Sequence, residues 1–264
     1  MKMFATDLDR TLIYSKRALE EMETPLDESM IAVEEKNGQK VSFMTEESFC
    51  LLKDLAHNHL LVPVTTRTFE QYKRVFIFER EIPVTYAVTN NGSKIHYKGV
   101  VLNEWEKLIQ SRLSKQCIEK ETLLGKVEKF NLDGTLKIAD DLFFYYVLHN
   151  RLTDEEKSSL FELSSKLGWK VSLQGRKLYF MPMPVCKGEA IKYIVEREGI
   201  KVTAGAGDSI LDFPFLNVCH YPFIPSHGEL VAEKFLNDNH ILTKGKGAIA
   251  GEEILKRVHQ QFLS

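Results

Sequence analysis

Short apolar segments alternate with amphipathic ones near the amino terminus of this chain, and this alternation constrains the fold more than any other feature. Three apolar runs have the length and character of buried strands: residues 2–7, 60–65 and 85–89. Between them, the segments from about Thr45 and from Thr68 carry apolar residues at helical spacing. Thr68 and Gln71 also form a capping box, which marks a helix start. The order β-α-β-α-β predicts an α/β fold in which helices cover a parallel sheet.

The polar segment between the first strand and the first helix contains a predicted β-hairpin. Ile31 and Val33 alternate with other residues on one side of Asn37-Gly38, and Val41 and Phe43 do so on the other side. Asn-Gly is a dipeptide that two-residue type I′ turns favour. We therefore expect two antiparallel strands here.

The alternation of strands and helices stops after residue 92. A long charged helix is predicted within 103–120, and a second helix should run from the capping box at Thr153 to Gly168. A hairpin turning at Gln174-Gly175 is predicted to follow it. This mixture of helices and hairpins indicates an inserted α+β domain at 93–182.

A second hairpin is predicted inside the insert, around Asp133-Gly134. Val127 and Phe130 are assigned to the strand that enters the turn, and Leu136 and Ile138 to the strand that leaves it. Pro182 and Pro184 then mark the end of the insert.

The first pattern resumes after the insert. A helix is predicted at 187–198 with Gly199 as its stop, followed by strands at 201–204 and 215–219 and a short amphipathic helix at the carboxyl terminus. The chain is therefore predicted to have a discontinuous core, residues 1–92 and 183–264, interrupted by the insert.

The composition limits the kinds of binding partner and the cellular compartment that can be expected. Lys and Arg number 35 against 37 Asp and Glu, so no basic surplus indicates nucleic acid binding. No apolar run approaches the roughly 18 residues that span a bilayer, which argues against a membrane protein. The four cysteines are widely spaced, with no C-x-x-C pair for zinc or redox chemistry. We expect a soluble cytoplasmic protein.

Acidic residues follow two of the predicted strands. Asp7 and Asp9 come at the end of the first strand, where residues two apart point the same way. Asp208 and Asp212 follow a later strand in a glycine-containing turn, at a spacing that shares one face of a helical turn. Carboxyl ends of parallel strands are where open α/β sheets bind ligands. Acids gathered there repel one another, and a divalent cation relieves that repulsion.

Other groups suited to binding phosphate lie at the same edge of the predicted sheet. Thr65, Thr66 and Arg67 close the second strand, and Lys187 opens the helix after the insert. Each alone has an ordinary structural explanation, such as a strand end or a solvated helix start. Their joint occurrence in this order favours a metal and phosphate site.

The residues 7–12 (DLDRTL), Thr65, Lys187, Gly207-Asp208 and Asp212 together resemble the motifs of the haloacid dehalogenase-like hydrolases. The position of the insert, with Asn90-Asn91-Gly92 before it, resembles the C2-capped branch of that superfamily. This branch includes Cof-type sugar phosphatases and sucrose-phosphatase-like enzymes. The resemblance implies a Rossmann-like core at 1–92 and 183–264, and a C2-type cap at 93–182 that closes over the site and selects the substrate.

The resemblance also implies a chemical role for each motif residue. Asp7 would be the nucleophile and carry an aspartyl-phosphate, whereas Asp9 would act as general acid and then as general base. Thr65 and Lys187 would hold the phosphoryl oxygens. The implied cofactor is Mg²⁺, bound by Asp7, the Asp9 carbonyl and Asp208, with Asp212 orienting a metal-bound water.

The substrate implied by the resemblance is a small phosphorylated metabolite such as a sugar phosphate. Further candidate contacts are Arg67, Asn91 and, in the cap, Arg176 and Tyr179. Arg10 is a departure, because the family usually has glycine at this position, and its side chain is a candidate for contacting phosphate or narrowing the entrance.

Two alternatives remain open from the sequence. A phosphomutase would return the phosphoryl group of the same aspartyl-phosphate to another hydroxyl. A non-catalytic ligand-binding or regulatory protein would keep the pocket without turnover, and Arg10 is the one residue that favours it.

Overall fold

A computed structural model of the chain describes residues 1–24, 26–138 and 142–263. The chain divides into two compact units. The core unit comprises Met1–Leu102 and Cys186–Ser264, and the insert unit comprises Asn103–Val185. The boundaries predicted from the sequence are 92/93 and 182/183. Residues 93–102 are the main difference, because they continue a sheet of the core unit.

The strands follow in chain order: β1 (Lys2–Thr6), β2 (Tyr14–Ser15), β3 (Met30–Lys36), β4 (Gln39–Thr45), β5 (Leu60–Pro63), β6 (Tyr86–Thr89), β7 (Lys94–Tyr97), β8 (Val100–Val101), β9 (Gly134–Ile138), β10 (Phe144–Leu148), β11 (Trp169–Gln174), β12 (Lys177–Pro182), β13 (Val202–Ala206), β14 (Tyr221–Ile224) and β15 (Ile241–Leu242).

The α-helices are α1 (Lys16–Glu21), α2 (Glu46–Asn58), α3 (Phe69–Tyr72), α4 (Ile77–Arg80), α5 (Asn103–Gln116), α6 (Lys120–Val127), α7 (Asp154–Lys166), α8 (Lys187–Glu198), α9 (Phe213–Leu216), α10 (Glu229–Ala232) and α11 (Gly247–Leu263). Short 3₁₀ helices lie at Asn90–Gly92 and Glu128–Phe130. Within the described residues, none of these helices is both long enough and apolar enough to cross a bilayer.

The core unit is built on a five-stranded parallel sheet in the order β15-β14-β13-β1-β5. Strand β1 is flanked by β13, whose Val202 pairs with Lys2, and by β5, whose Leu60 pairs with Met3. Four of its five residues are buried, as expected for a strand with neighbours on both edges and helices over its faces. This arrangement confirms the predicted α/β parallel-sheet fold.

Two antiparallel sheets complete the core unit: β2-β4-β3 and β6-β7-β8. The predicted hairpin around Asn37-Gly38 is formed by β3 and β4, with both turn residues at positive φ as a type I′ turn requires. Strand β6 meets the parallel sheet at a bridge between Val64 and Val88.

The insert unit has an antiparallel sheet, β11-β12-β10-β9, and its own apolar core. The capping box that begins α7 at Thr153 and the hairpin β11–β12 are present as predicted. The prediction for Val127 and Phe130 was wrong, because Val127 ends helix α6 and Phe130 lies in the following 3₁₀ helix. Leu123 and Val127 are both buried one helical turn apart. The strand that pairs with β9 is instead β10.

The predicted strand at 215–219 was also wrong. Residues Phe213–Leu216 form the short helix α9, and the strand is β14, six residues further along the chain. Pro214 stands in the first turn of α9, where a missing N–H is tolerated. Pro222 lies inside β14, a position that sequence rules disfavour for a strand between two neighbours.

Candidate active site

Asp7 lies at the carboxyl end of β1, the strand that stands between β13 and β5. The strand ends at Thr6, and the Asp7 backbone N–H donates to the Ala206 carbonyl at 2.8 Å. This bond extends the pairing with β13 by one residue and fixes Asp7 beside the turn that follows β13. The Asp7 side chain is buried at the edge where α/β sheets place ligands.

Lys187 is the first residue of α8, and its side chain is only 1% exposed. Its Nζ donates to Asp7 Oδ1 at 2.7 Å and to Asp212 Oδ1 at 2.6 Å. The start of α8 is pressed against Gly92, where a Cβ would stand 2.4 Å from the Cys186 carbonyl oxygen and 2.8 Å from the Lys187 nitrogen. Only glycine permits that approach, and Gly92 also has positive φ.

Asp212 is fully buried and bonded through both of its oxygens. Oδ1 accepts from Lys187, and Oδ2 accepts from the Asp208 backbone N–H at 3.1 Å and from the Ser209 N–H and hydroxyl at 2.9 and 2.8 Å. Gly207 makes this possible, because a Cβ there would lie 2.5 Å from the Asp212 Cβ. Asp212 therefore holds the turn after β13 and the Lys187 ammonium together.

Asp7, Asp208 and Asp212 bring carboxylate oxygens within 4.8 Å of one another. Burial, opposed by Lys187 and reinforced by the Asp212 charge, raises the pKa of Asp7 to about 7. Burial and the charges of Asp212 and Asp7 also raise the pKa of Asp208 well above its usual value. Burial would lower the pKa of Lys187, but Asp212 and Asp7 outweigh it and raise that pKa. Lys187 therefore stays charged.

This cluster suits a divalent cation. When ionised, its three carboxylates carry three negative charges, and the Lys187 ammonium compensates one of them. Burial first, and then the charges of the neighbouring carboxylates, raise the pKa values of Asp7 and Asp208. Hard carboxylate oxygens are the ligands that Mg²⁺ prefers. Since Asp212 is already bonded through both oxygens, Asp7 and Asp208 are the better direct ligands.

Thr65, after β5, and Asn91, after β6, are joined by a backbone hydrogen bond. Thr65 is buried; its Oγ1 accepts from the Arg67 N–H at 3.1 Å and its carbonyl accepts from the Asn91 N–H at 3.1 Å. Asn90 and Asn91 both have positive φ, which asparagine tolerates better than most residues. The loop after β5 and the loop after β6 are thereby joined. Their contacts with phosphate and substrate stay predictions.

Asp9 is not part of the buried group that Asp7 forms with Asp208 and Asp212. Strand β1 ends at Thr6, and the chain then turns, with the Leu12 and Ile13 N–H groups both donating to the Leu8 carbonyl. The rule that residues two apart point the same way no longer applies in such a turn. The Asp9 side chain is half exposed, yet it lies near enough for its charge to raise the pKa of Asp7.

Arg67 binds Asp9 through two hydrogen bonds. Its Nε donates to Asp9 Oδ2 at 2.7 Å and its Nη2 donates to Asp9 Oδ1 at 2.6 Å. The same Nη2 donates to Glu34 Oε2 at 3.0 Å. Arg67, expected to contact the substrate, is thus placed between two carboxylates. Sequence reasoning missed Glu34, since an acidic residue in a hairpin strand gives no signal of burial.

Arg10 adopts φ of 63°, a conformation that most side chains disfavour and that glycine enters readily. This explains why glycine is the usual residue at such a turn. The Arg10 Nη1 donates to Glu21 at 3.1 Å, and its Nε lies 4.0 Å from Asp208 Oδ2. Its carbonyl is 2.8 Å from His227 Nε2. Arg10 therefore borders the acidic cluster.

Arg176 and Tyr179 belong to the insert unit. Arg176 lies in the turn between β11 and β12, where its Nε donates to the Leu148 carbonyl at 2.8 Å. Tyr179 lies on β12 and packs its ring against Tyr145 of the neighbouring strand, with centroids 4.9 Å apart. Both residues thus have contacts within the insert's sheet. Their predicted contact with the substrate stays a prediction.

The sequence model of the sucrose-6F-phosphate phosphohydrolase family matches residues 1–216 of the chain. A search of curated proteins found no match. The matched segment contains the whole acidic cluster and Lys187.

Solved structures with the same fold cover nearly the whole chain. The sucrose-phosphatase of Synechocystis sp. PCC6803, solved with sucrose and phosphate, is 17% identical with a TM-score of 0.71, over 99% of this chain and 98% of that one. A haloacid dehalogenase-like hydrolase of Bacillus subtilis is 15% identical with a TM-score of 0.59, over 97% and 91%. A superfamily phosphatase of Bacteroides thetaiotaomicron is 13% identical with a TM-score of 0.59, over 100% and 96%. At these identities the likeness establishes the shared fold.

Proposed function

Because the chain belongs to the sucrose-6F-phosphate phosphohydrolase family of haloacid dehalogenase-like phosphoric monoester hydrolases, we propose that it removes phosphate from a phosphorylated sugar through an aspartyl-phosphate on Asp7. The observation that carries the proposal is the buried cluster of Asp7, Asp208, Asp212 and Lys187 at the end of β1. The family supports a sugar phosphate as substrate, and sucrose 6F-phosphate is the first compound to test.

Asp7 is the nucleophile in this proposal. Hydrolysis of a phosphate monoester needs on the order of 20 kcal/mol of catalysis or more, and a covalent intermediate divides it into two easier steps. A carboxylate oxygen of Asp7 attacks phosphorus while the bond to the sugar oxygen breaks. Lys187 already holds Asp7 Oδ1, so it orients the carboxylate for attack and places a positive charge beside the phosphoryl group. The Thr65 hydroxyl is proposed to bind a phosphoryl oxygen.

Asp9 is the proposed general acid and base. A sugar alkoxide is a strong base, so its departure requires a proton, which Asp9 supplies. The same carboxylate then accepts a proton from the water that hydrolyses the aspartyl-phosphate. Arg67 donates to both oxygens of Asp9, so at least one of these bonds must open for Asp9 to turn an oxygen toward the leaving group.

The carboxylates of Asp7 and Asp208, with the Asp9 carbonyl, are proposed to hold Mg²⁺, while Asp212 fixes the turn that carries Asp208. When bound, the ion supplies positive charge that offsets the repulsion between an anionic nucleophile and an anionic phosphate.

The proposal is tested by assaying purified protein against a panel of phosphorylated sugars and a generic aryl phosphate, with Mg²⁺ and with a chelator. We expect free phosphate from at least one sugar phosphate, only with Mg²⁺, and no release by Asp7→Asn. Phosphate release that survives Asp7→Asn would refute the role of Asp7. Recovery of an isomeric sugar phosphate without free phosphate would instead indicate the phosphomutase alternative.

A further inference from the structure

A buried carboxylate lies in the hairpin β3–β4, away from the acidic cluster. Glu34 is 2% exposed, and both of its oxygens have polar partners. Ser42 Oγ and Arg67 Nη2 donate to Oε2, at 2.6 and 3.0 Å. Arg74 Nε lies 3.2 Å from Oε1 as an ion-pair partner. A carboxylate with two arginines and a hydroxyl around it is fixed in place. Glu34 is therefore an immobile negative charge within the core unit.

Arg67 links Glu34 to Asp9. Its side chain is 11% exposed, whereas that of Asp9 is 51% exposed, so the guanidinium has a buried partner on one side and a solvated one on the other. A single nitrogen, Nη2, donates to both carboxylates. The Arg67 cation is thus shared between one partner that cannot move and one that can.

The sharing of Arg67 between Glu34 and Asp9 matters when Asp9 turns from Arg67 toward the leaving group. Both Asp9 oxygens accept from the Arg67 guanidinium, so Asp9 gives up one of these hydrogen bonds when it turns an oxygen toward the leaving group. Without a second counterion, that release would leave Arg67 as an unpaired and mostly buried cation, which is strongly unfavourable. Glu34 supplies that counterion.

The geometry points to Glu34 as a positioning residue that fixes Arg67 and thereby lets Asp9 exchange between Arg67 and the leaving-group oxygen. This inference rests on the proposed function, since it concerns the acid and base of that reaction. Glu34 touches neither substrate nor reacting atoms; it acts through Arg67. None of the motif residues named above lies in the β3–β4 hairpin, so the inference rests on the contacts of Glu34 itself.

Leaving groups of different basicity separate this role from a purely structural one. An alkyl or sugar oxygen needs a proton to depart, whereas 4-nitrophenolate is a weak base and departs without one. The value of kcat/KM reports the steps up to the first irreversible one, so it isolates departure from the later hydrolysis of the aspartyl-phosphate. Damage to Asp9 positioning should therefore lower kcat/KM for a sugar phosphate far more than for 4-nitrophenyl phosphate.

The experiment compares Glu34→Gln with the wild-type protein on both substrates in Mg²⁺. We expect kcat/KM to fall about tenfold or more for the sugar phosphate, within the range of general acid catalysis, and less than about threefold for 4-nitrophenyl phosphate. Glu35→Gln, an exposed neighbour on the same strand, is the matched control and should change neither value. Equal losses on the two substrates would overturn the inference.

Two further variants keep the result interpretable. Ser42→Ala removes one hydrogen bond from Glu34 and leaves every charge in place, so it replaces Glu34→Gln if that variant fails to fold. We expect a split, meaning a larger loss of kcat/KM for the sugar phosphate than for 4-nitrophenyl phosphate, that is smaller than in Glu34→Gln. Equal losses on the two substrates contradict the inference. Asp9→Asn tests the underlying function. If Asp9→Asn gives the split and the Glu34 and Ser42 variants do not, the positioning role is wrong and the proposed function stands. If Asp9→Asn gives no split, the assigned role of Asp9 itself fails.

Discussion

Lys187 is a buried cation whose two partners are buried acids, so its replacement changes the charge of the whole cluster. Lys187→Met leaves Asp7 and Asp212 without their compensating ammonium. We expect the metal-free protein to lose about 3–5 kcal/mol of unfolding free energy, the usual effect of removing one partner of a buried ion pair. Urea unfolding in the presence of a chelator measures this.

Lys192 provides the control for that measurement. It lies on the same helix, is half exposed and pairs with Glu189 at 3.0 Å. Lys192→Met should change the unfolding free energy by no more than about 0.5 kcal/mol, because exposed pairs contribute little. Similar losses for the two variants would mean that burial of the Lys187 charge is not what matters.

The raised pKa of Asp7 makes metal binding depend on pH. The folded protein holds the Asp7 proton up to a pKa of about 7, whereas an ordinary aspartate releases it near 3.8. Between these values the folded state binds more protons than the unfolded one, so the contribution of Asp7 to metal-free stability falls as the pH rises. Mg²⁺ requires the ionised carboxylate.

We therefore expect Mg²⁺ to raise the Tm of chelator-treated protein by more at pH 8 than at pH 6. Asp208→Asn removes a proposed ligand and should reduce the Tm increase at both pH values. Thermal unfolding followed by circular dichroism, with and without Mg²⁺, measures the Tm increase for the wild-type protein and for Asp208→Asn at each pH. A larger increase at pH 6 would contradict the competition between the proton and the metal.

At the scale of elements, the turn after β13 depends on a glycine that has no room for a side chain. In Gly207→Ala the new Cβ would stand 2.5 Å from the Asp212 Cβ and 2.7 Å from its Cγ, so Asp212 must move. We expect a loss of about 1–3 kcal/mol in unfolding free energy and a fall of at least about tenfold in kcat, since a misplaced group of this kind has large catalytic effects.

Gly125 in helix α6 is the matched glycine. A Cβ there meets nothing within 4 Å, and alanine is the better helix former by up to about 1 kcal/mol. Gly125→Ala should therefore leave phosphate release unchanged and keep or slightly increase the Tm. A similar loss in both variants would show that the Asp212 contact does not determine the effect.

Elements whose ends are set by neighbouring residues in the sequence could be predicted. Elements whose structure depends on pairing with distant strands could not. The capping boxes of Thr68 and Thr153 and the Asn37-Gly38 turn are all present, because each is set by neighbouring residues. Strand β14 was missed because Pro222 argues against a strand, and only its pairing with β13 overrides that preference.

The same distinction holds for the site. The meeting of Asp7, Asp208 and Asp212 could be expected, because parallel strands bring their carboxyl ends to one edge of the sheet. The pairing of Asp9 with Arg67 and the burial of Glu34 could not. Both depend on Arg67, which follows β5 and bonds with residues 58 and 33 positions away in the chain.

At the scale of the whole molecule, the insert unit has a core of its own. Its buried residues include Phe144, Leu160, Trp169 and Phe180. We expect residues 103–185 to fold when expressed alone, with circular dichroism typical of a mixed α and β protein and a cooperative urea transition. A fragment without such a transition would contradict this independence.

Substitution of one buried and one exposed phenylalanine tests whether this apolar core stabilises the isolated fragment. Phe144→Ala empties a fully buried position and should cost about 3–5 kcal/mol, enough to unfold a domain of this size. Phe161 is 43% exposed on α7, so Phe161→Ala should leave the urea transition nearly unchanged.

The position of β1 between β5 and β13 has a consequence for how the protein is made. Residue 2 pairs with residue 202, so one edge of the first strand stays without its neighbour until about 200 further residues have been translated. At about 5–20 residues per second, that interval lasts roughly 10–40 seconds on the ribosome. The insert has time to fold during this wait, and the nascent amino-terminal segment, apolar and open along one side, is where chaperones would be needed.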